Sequence, residues 1–372
     1  MIKFLDLLWQ TRQVNDLSSA IERVLSSGVY IGGEEVENFE SQFSTYTKST
    51  YCHGVSNGQD ALRLSLVAAG IKSGDEVIVP AFTFIATWLA VSSIGAKIVP
   101  VDVHPTDLSI NAQLIKRAIT KKTKAIIPVF IFGKVCSDLD EIIDICNESN
   151  LFLLFDAAQS SGADYIKDIN KKDIKKSAMA WSFYPGKNLG AVGDAGAVTT
   201  NCHSFANDIN LLRNYGSKNK YEHLTKGLNN RMDPIQASVL CEKLKYLDVW
   251  NNKRVKQARA YDRIKNKHLS SLLQSSSSKY TNWHLYVVQT LHRNELAQYL
   301  LTNGVETGLH YPVPPYSQPC YADLSLNKSA YAVSSAASEK VLSLPIGPHL
   351  TTTNVDKIID LINLFEPGKS FG

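Results

Sequence analysis

The chain has 372 residues, 44% hydrophobic and 20% charged, with a formal net charge of +4. That length exceeds one ordinary compact domain and predicts two packed domains with a core large enough to need no metal or disulfide staple. The charge is small and scattered, no run of ~18 apolar residues occurs, and the six cysteines show no CxxC spacing, which excludes a nucleic-acid face, a membrane span, a zinc site and a disulfide framework.

The first residues, Met1 to Asp6, lack a charged lead followed by an apolar run. With unpaired thiols, this makes a cytoplasmic protein the expectation. Leu17, Ala20, Ile21 and Val24 recur at helical spacing, so Asp16 to Ser26 reads as a helix. After a turn at Tyr30-Ile31-Gly32-Gly33, Val36, Phe39 and Phe43 predict a second helix from Glu34 to Tyr46.

From Tyr51 the pattern becomes strand, turn, helix, repeated. Strands are predicted at Tyr51 to Val55, Glu76 to Pro80, Lys97 to Val103, Ala125 to Phe132, Leu151 to Phe155, Ala178 to Phe183 and Ala195 to Thr200. Near-continuous apolar runs such as Ala125 to Phe132 suit parallel strands covered on both faces. Helices are expected from Asn57 onward, over Ala86 to Ser93, and over Leu139 to Asn147. The fold class is therefore α/β, with helices on both faces of a mostly parallel sheet. Asp233-Pro234 opens a long helix from Ile235 to about Asn251. Ser275 to Ser278 reads as a low-complexity turn or loop. Beyond it come a strand at Trp283 to Leu291 and helices at Arg293 to Asn303, Tyr331 to Val341 and Asn354 to Phe365. A smaller C-terminal α/β domain thus follows residue 250, giving domains of 1–250 and 251–372.

Ligands in open parallel sheets bind beyond the carboxyl ends of the strands. Asp156, Gln159, Ser182 and Lys187 all fall at or just past such ends. Lys187 stands on a loop bounded by Pro185-Gly186, Gly190 and Gly193. A lysine held so can be an ordinary loop residue. Desolvated, with its pKa near neutrality, it can also attack an aldehyde and form a Schiff base. The start Ser56-Asn57-Gly58-Gln59-Asp60 can be a plain N-cap, or backbone N–H groups there can hold a phosphate. Asp156 can likewise cap a helix.

These stretches, with Asn229-Asn230-Arg231-Met232-Asp233-Pro234 and His310-Tyr311-Pro312, resemble the DegT/StrS-type sugar-nucleotide aminotransferases almost end to end. The resemblance implies an aspartate aminotransferase-like fold of type I, with a large seven-stranded sheet domain. It also implies pyridoxal 5′-phosphate (PLP) as cofactor and a homodimer with shared active sites. In that reading Lys187 binds the cofactor covalently and then moves the proton. Asp156 faces the pyridinium nitrogen and Gln159 the ring hydroxyl. Gly58, Gln59 and Ser182 hold the phosphate, Phe84 stacks on the ring unless it is a core aromatic, and Asn229 reaches the phosphate of the neighbouring subunit. Tyr184, Lys220, Tyr221, Arg231, His310 and Tyr311 would meet the substrate; Lys220 and Arg231 suit a pyrophosphate, or a solvated loop.

The resemblance is greatest to members that move an amino group from L-glutamate to C3 of a dTDP-3-keto-6-deoxyhexose. A C4 aminotransferase of a UDP- or GDP-linked sugar is the alternative. A regulator or scaffold has no use for the lysine, and a nicotinamide dehydrogenase lacks its GxGxxG. Two departures stand out. Gln59 replaces a frequent Thr, and Phe130 replaces a usual His, which bears on the substrate pocket.

Overall fold

A computed structural model describes residues 1–273 and 280–369. The Ser275 to Ser278 stretch lies outside the described residues. The N-terminal part carries helices α1 (Leu7–Gln13), α2 (Leu17–Ser27) and α3 (Glu34–Thr47). Strand β1 (Tyr51–Val55) then enters the main sheet, followed by α4 (Gly58–Ala68), β2 (Glu76–Pro80), α5 (Ala86–Ser92) and β3 (Lys97–Val101). Next come α6 (Ala112–Ala118), β4 (Thr123–Ile126), α7 (Leu139–Ser149), β5 (Phe152–Asp156), α8 (Tyr165–Ile169), β6 (Ser177–Ser182), β7 (Gly196–Thr200) and α9 (His203–Leu212).

The seven strands stand in the order β1-β7-β6-β5-β4-β2-β3. Every pair is parallel except the two that β7 makes with β1 and β6. The reversal follows from the short Phe183–Ala195 connection, which folds the chain back instead of crossing over through a helix. One face packs Phe39, Phe43, Trp181 and Phe183 in edge-to-face contacts of 5.1 to 5.3 Å. The other face buries Trp88, Leu62, Leu64 and Ile209. Each fully buried side chain of this size contributes roughly 1.5–3 kcal/mol through removal from water.

The expected strand over Ala125 to Phe132 is shorter than its apolar run suggests. It leaves the regular ladder after Ile126 because Pro128 has no N–H to give. The chain stays extended to Val129, whose neighbours still exchange bonds with Asp156, and then turns at Phe132, where φ is +59°. The strand expected to Val103 likewise ends at Val101. The long helix from Ile235 is two: α10 (Pro234–Leu244) and α11 (Leu247–Tyr261). Between them the Tyr246 N–H bonds back three residues to the Lys243 carbonyl, a tighter turn than the α-helix makes.

After α11 a three-stranded antiparallel sheet forms from β10 (Ser270–Ser271), β11 (Tyr286–Gln289) and β12 (Val341–Leu344). The preceding β8 (Ser217–Asn219) and β9 (Glu222–His223) make a separate hairpin. β11 is shorter than the expected Trp283 to Leu291 strand, since Trp283 sits at φ +53°. Helices α12 (Arg293–Thr302), α13 (Ala332–Lys340) and α14 (Thr352–Leu364) complete the fold. A core of Tyr261, Trp283, Tyr286, Leu296, Leu344 and Ile358 closes around the small sheet. The chain's start joins it: Ile2 pairs with Val305.

Candidate active site

A cavity of about 470 Å³ opens beyond the carboxyl ends of β5 and β6, with the N-terminus of α4 in its wall. Lys187 follows β6 on a loop. Its N–H donates to the Tyr184 carbonyl at 2.8 Å, and Ala191 donates back to Phe183 at 2.8 Å. Helix α10 pins the loop from behind. The Lys243 ammonium donates to the Gly190 carbonyl at 2.7 Å, and Gln236 accepts from the Val192 N–H at 2.9 Å. Gly190 is required here, because a Cβ would lie 2.3 Å from the Pro185 carbonyl oxygen.

The Lys187 amine lines the cavity and has no hydrogen-bond partner among the described residues. Desolvation lowers its pKa to about 8, against an opposing pull from Asp156. Asp156 is buried at the end of β5. Its carboxylate accepts from the Thr87 hydroxyl at 2.8 Å and from the Ala158 N–H at 3.2 Å. Burial raises its pKa, opposed by those two bonds and by Lys187. No helix starts at Asp156, so it caps none.

Gln159, also buried, accepts from the Phe132 N–H with Oε1 at 2.5 Å and donates with Nε2 to the Tyr311 hydroxyl at 2.9 Å. His310 bonds Ser343 through Nδ1 at 2.9 Å, and burial with the Lys187 charge lowers its pKa to about 4. Phe84 is 55% exposed at the cavity, its ring 5.6 Å from that of Tyr311, so it is not a core aromatic. Tyr184, equally open, lines the same space.

The cap and anion roles of the α4 start coexist. Asn57 is the N-cap and accepts from the Asp60 N–H at 2.8 Å. The Gly58 and Gln59 N–H groups have no acceptor among the described residues and lie on the cavity side with Ser182. A Cβ on Gly58 would come within 2.7 Å of the Ser182 Cβ. Donors at a helix start, a buried carboxylate and a desolvated amine therefore share one space. That set fits a flat, phosphate-bearing aldehyde with a basic ring nitrogen.

Asn229, Lys220, Tyr221 and Arg231 do not line this cavity. Asn229 is exposed and bridged to Asn214. Lys220 lies 5.4 Å from the Tyr221 ring on the β8–β9 hairpin, and Tyr221 is 87% exposed. Arg231 donates to Asn214 at 3.0 Å and covers the Tyr215 ring at 5.3 Å. The neighbouring Asn230 turns inward and donates to Asp60 at 2.7 Å.

The Phe130 departure does not reach the substrate space. Its ring stacks on Phe155 at 5.5 Å and meets Tyr165 edge-on at 5.4 Å, in the core, while Val129 and Ile131 line the cavity. Three groups escaped sequence reading: His284, Arg254 and the Phe4-Leu5 segment. The His284 Nδ1 pairs with Asn188 Oδ1 at 3.0 Å; the Asn188 amide nitrogen donates to Asn251 at 2.8 Å, which leaves the ring proton on Nδ1. Burial and the Lys187 and Arg254 charges keep this ring neutral. Arg254 carried one legible signal. It falls on the stripe Asn251, Arg254, Ala258, Tyr261, the buried face of α11. Among the described residues no cluster could hold a metal ion, and no helix is long and apolar enough to cross a membrane.

The profile of the DegT/DnrJ/EryC1/StrS aminotransferase family matches residues 12–363. The erythromycin biosynthesis sensory transduction protein EryC1 of Saccharopolyspora erythraea is 43% identical over 96% of this chain and 98% of its own length. The dTDP-3-amino-3,6-dideoxy-alpha-D-galactopyranose transaminase of Aneurinibacillus thermoaerophilus is 41% identical, covering 98% and 99%. Among solved structures, DesV of S. venezuelae superposes with a TM-score of 0.93 at 40% identity, covering 97% of each chain. NtdA from Bacillus subtilis with bound cofactor PMP gives 0.88 at 30% identity, covering 97% of this chain and 84% of its own.

Proposed function

The chain belongs to the DegT/DnrJ/EryC1/StrS aminotransferase family, and from that premise we propose that it moves an amino group from L-glutamate to C3 of a dTDP-linked 3-keto-6-deoxyhexose. The cofactor is PLP, and the fold is that of fold type I aminotransferases. The observation that carries the reading is the desolvated Lys187 amine, with no hydrogen-bond partner among the described residues, facing the buried Asp156 carboxylate across one cavity. The name of the A. thermoaerophilus relative supports C3 and dTDP.

Bound there, PLP supplies a ring that accepts electrons as a bond to the substrate carbon breaks. The protein does the rest. The Gly58 and Gln59 N–H groups and the Ser182 hydroxyl would hold the phosphate at the positive end of α4. Asp156 would face the ring nitrogen and keep its proton there, and the Thr87 hydroxyl and Ala158 N–H keep its carboxylate aimed. Gln159, fixed by Phe132 and Tyr311, would meet the ring oxygen, and Phe84, exposed at the cavity, would cover the ring. Lys187, with a pKa of about 8, is neutral often enough at physiological pH to take a proton from one carbon and return it to another. Tyr184, His310 and Tyr311 border the sugar.

Residues 1–250 form the cofactor-binding unit and 251–372 a smaller one, in a cytoplasmic enzyme whose exposed Cys202 and Cys320 stay reduced. A second copy covers exposed apolar residues such as Tyr30, Ile31, Tyr215, Tyr221 and Leu224, and its Asn229 would complete the phosphate site. Lys220 and Arg231 then meet the pyrophosphate from that side.

The test is product analysis. The purified protein is incubated with glutamate and a panel of nucleotide-linked keto-deoxysugars, and NMR locates the new nitrogen. A 3-amino product from the dTDP sugar supports the reading. Nitrogen at C4 of a UDP or GDP sugar overturns its specificity, and no transamination with any member overturns it outright.

A further inference from the structure

Arg254 is 2% exposed, yet it belongs to the cavity wall. Its Nη1 donates to the carbonyls of Trp283, His284 and Ile346 at 3.2, 3.1 and 3.0 Å. That tie occupies one of its three nitrogens. Nε is enclosed with no acceptor, and Nη2 has none among the described residues. With Nη1 turned to carbonyls and Nε enclosed, Nη2 carries the donors free for a ligand. Among the described residues no acid compensates the cation: burial lowers its pKa to about 10. A guanidinium desolvated without an anion is unfavourable, and the three carbonyls do not neutralise it.

The neighbours narrow what could supply the missing charge. His284 and His310 are neutral rings, so Arg254 is the permanent cation of this wall among the described residues. Lys187 and Arg254 both act on His284, which sets this wall beside the reacting amine. The remaining surface here is apolar: Phe4, Leu5, Leu285 and Ile346. A short acid with methylenes fits such a wall; the bulky phosphate donors lie elsewhere, at the start of α4.

We propose that Arg254 binds a carboxylate of the amino donor, beside His284, in a subsite separate from the phosphate-holding start of α4. This rests on the aminotransferase reading above. The fixed cation orients the donor so that its amino group approaches the cofactor next to Lys187, and carboxylate binding relieves the unpaired charge.

The experiment measures both substrates separately in cofactor-loaded Arg254→Lys and Arg254→Gln proteins. The KM for glutamate is expected to rise about tenfold or more, while the KM for the nucleotide sugar and the cofactor absorbance stay unchanged. An unaltered glutamate KM in a folded, loaded Arg254→Gln protein overturns the proposal. A rise confined to the sugar KM also overturns it, since the carboxylate would then be a uronic sugar's. Should both variants fail to fold, wild-type holoenzyme is crystallised with glutarate, which has two carboxylates and no amine. A carboxylate oxygen at hydrogen-bond distance from Nη2 supports the subsite; glutarate seated elsewhere, or absent at saturation, overturns it. Wild-type protein that transaminates with an Arg254-independent glutamate KM defeats this inference alone. Wild-type protein that deaminates no amino acid defeats the aminotransferase reading and this inference with it.

Discussion

Lys187 and Asp156 face one cavity, and the same desolvation moves them in opposite directions, lowering the amine's pKa and raising the carboxyl's. Their mutual attraction opposes both shifts. The amine, with its pKa lowered to about 8, is thereby held where it can change its proton, which is the condition acid–base work needs, while Asp156 stays the carboxylate it faces. The pairing depends on two unrelated strand ends, β5 and β6, being parallel neighbours in register from Leu153–Ser177 to Asp156–Ala180.

Replacing the carboxylate tests that relationship. Asp156→Asn keeps the Thr87 hydroxyl within reach but removes the charge. The rate of transamination should fall on the order of 10²-fold or more, with the protein still folded. Stopped-flow measurement of each half-reaction checks this; wild-type rates would contradict it.

Stability against pH reports the amine directly. In cofactor-free protein the Lys187 pKa of about 8 lies below that of the unfolded chain. Below about 8 the native state carries the full cost of a desolvated ammonium, and the cost vanishes once both states are neutral, above about 10.4. Lys187→Met should thus raise the midpoint of unfolding at pH 7, with the gain shrinking as pH rises from about 8 toward 10. Calorimetry of the two apo-proteins across that range measures it.

Gly190→Ala should disable the lysine loop. Its Cβ would meet the Pro185 carbonyl at 2.3 Å, and the same carbonyl-bearing turn anchors Lys187. We expect a loss of about 1–3 kcal/mol in stability from overpacking, together with weaker cofactor retention. Denaturant unfolding and cofactor titration read the two effects.

Phe130→His restores the residue common at that position in the family. Since the ring lies between Phe155 and Tyr165 in the core, the change should cost roughly 1–3 kcal/mol for burying a polar group. KM for the sugar should not move. A changed KM with unchanged stability would place the side chain in the substrate space after all.

A shared site predicts complementation. Lys187→Ala and Asn229→Ala chains, each inactive alone, should regain activity when mixed and reassembled. Random pairing gives roughly a quarter of wild-type activity if each dimer hybrid has one whole site. Mixtures that stay inactive, with dimers verified by light scattering, would exclude an Asn229 contribution from a second copy.

Much of this site was legible because strand ends declare themselves. Asp156, Gln159, Ser182 and Lys187 each follow an apolar run broken by small or polar residues, and a parallel sheet brings such ends together. The α4 start was legible as an N-cap for the same local reason. Arg254 showed only that it lies on the buried stripe of α11, and His284 showed nothing; both reach the cavity from α11 and the loop before β11 through long-range packing. The direction of β7 was hidden because an antiparallel return and a parallel crossover present the same apolar strand. The premature end of β4 was readable only in Pro128, whose missing N–H outweighs seven apolar neighbours. Phe130 shows the opposite hazard: a position singled out by family pattern can belong to the core.

The most direct measurement is to reduce the cofactor-loaded protein with borohydride, digest it, and map the modified peptide by mass spectrometry. A single pyridoxyl adduct on Lys187, with the ~420 nm absorbance lost in step, is the expected result. An adduct on another lysine, or an active enzyme that carries none, would contradict the account.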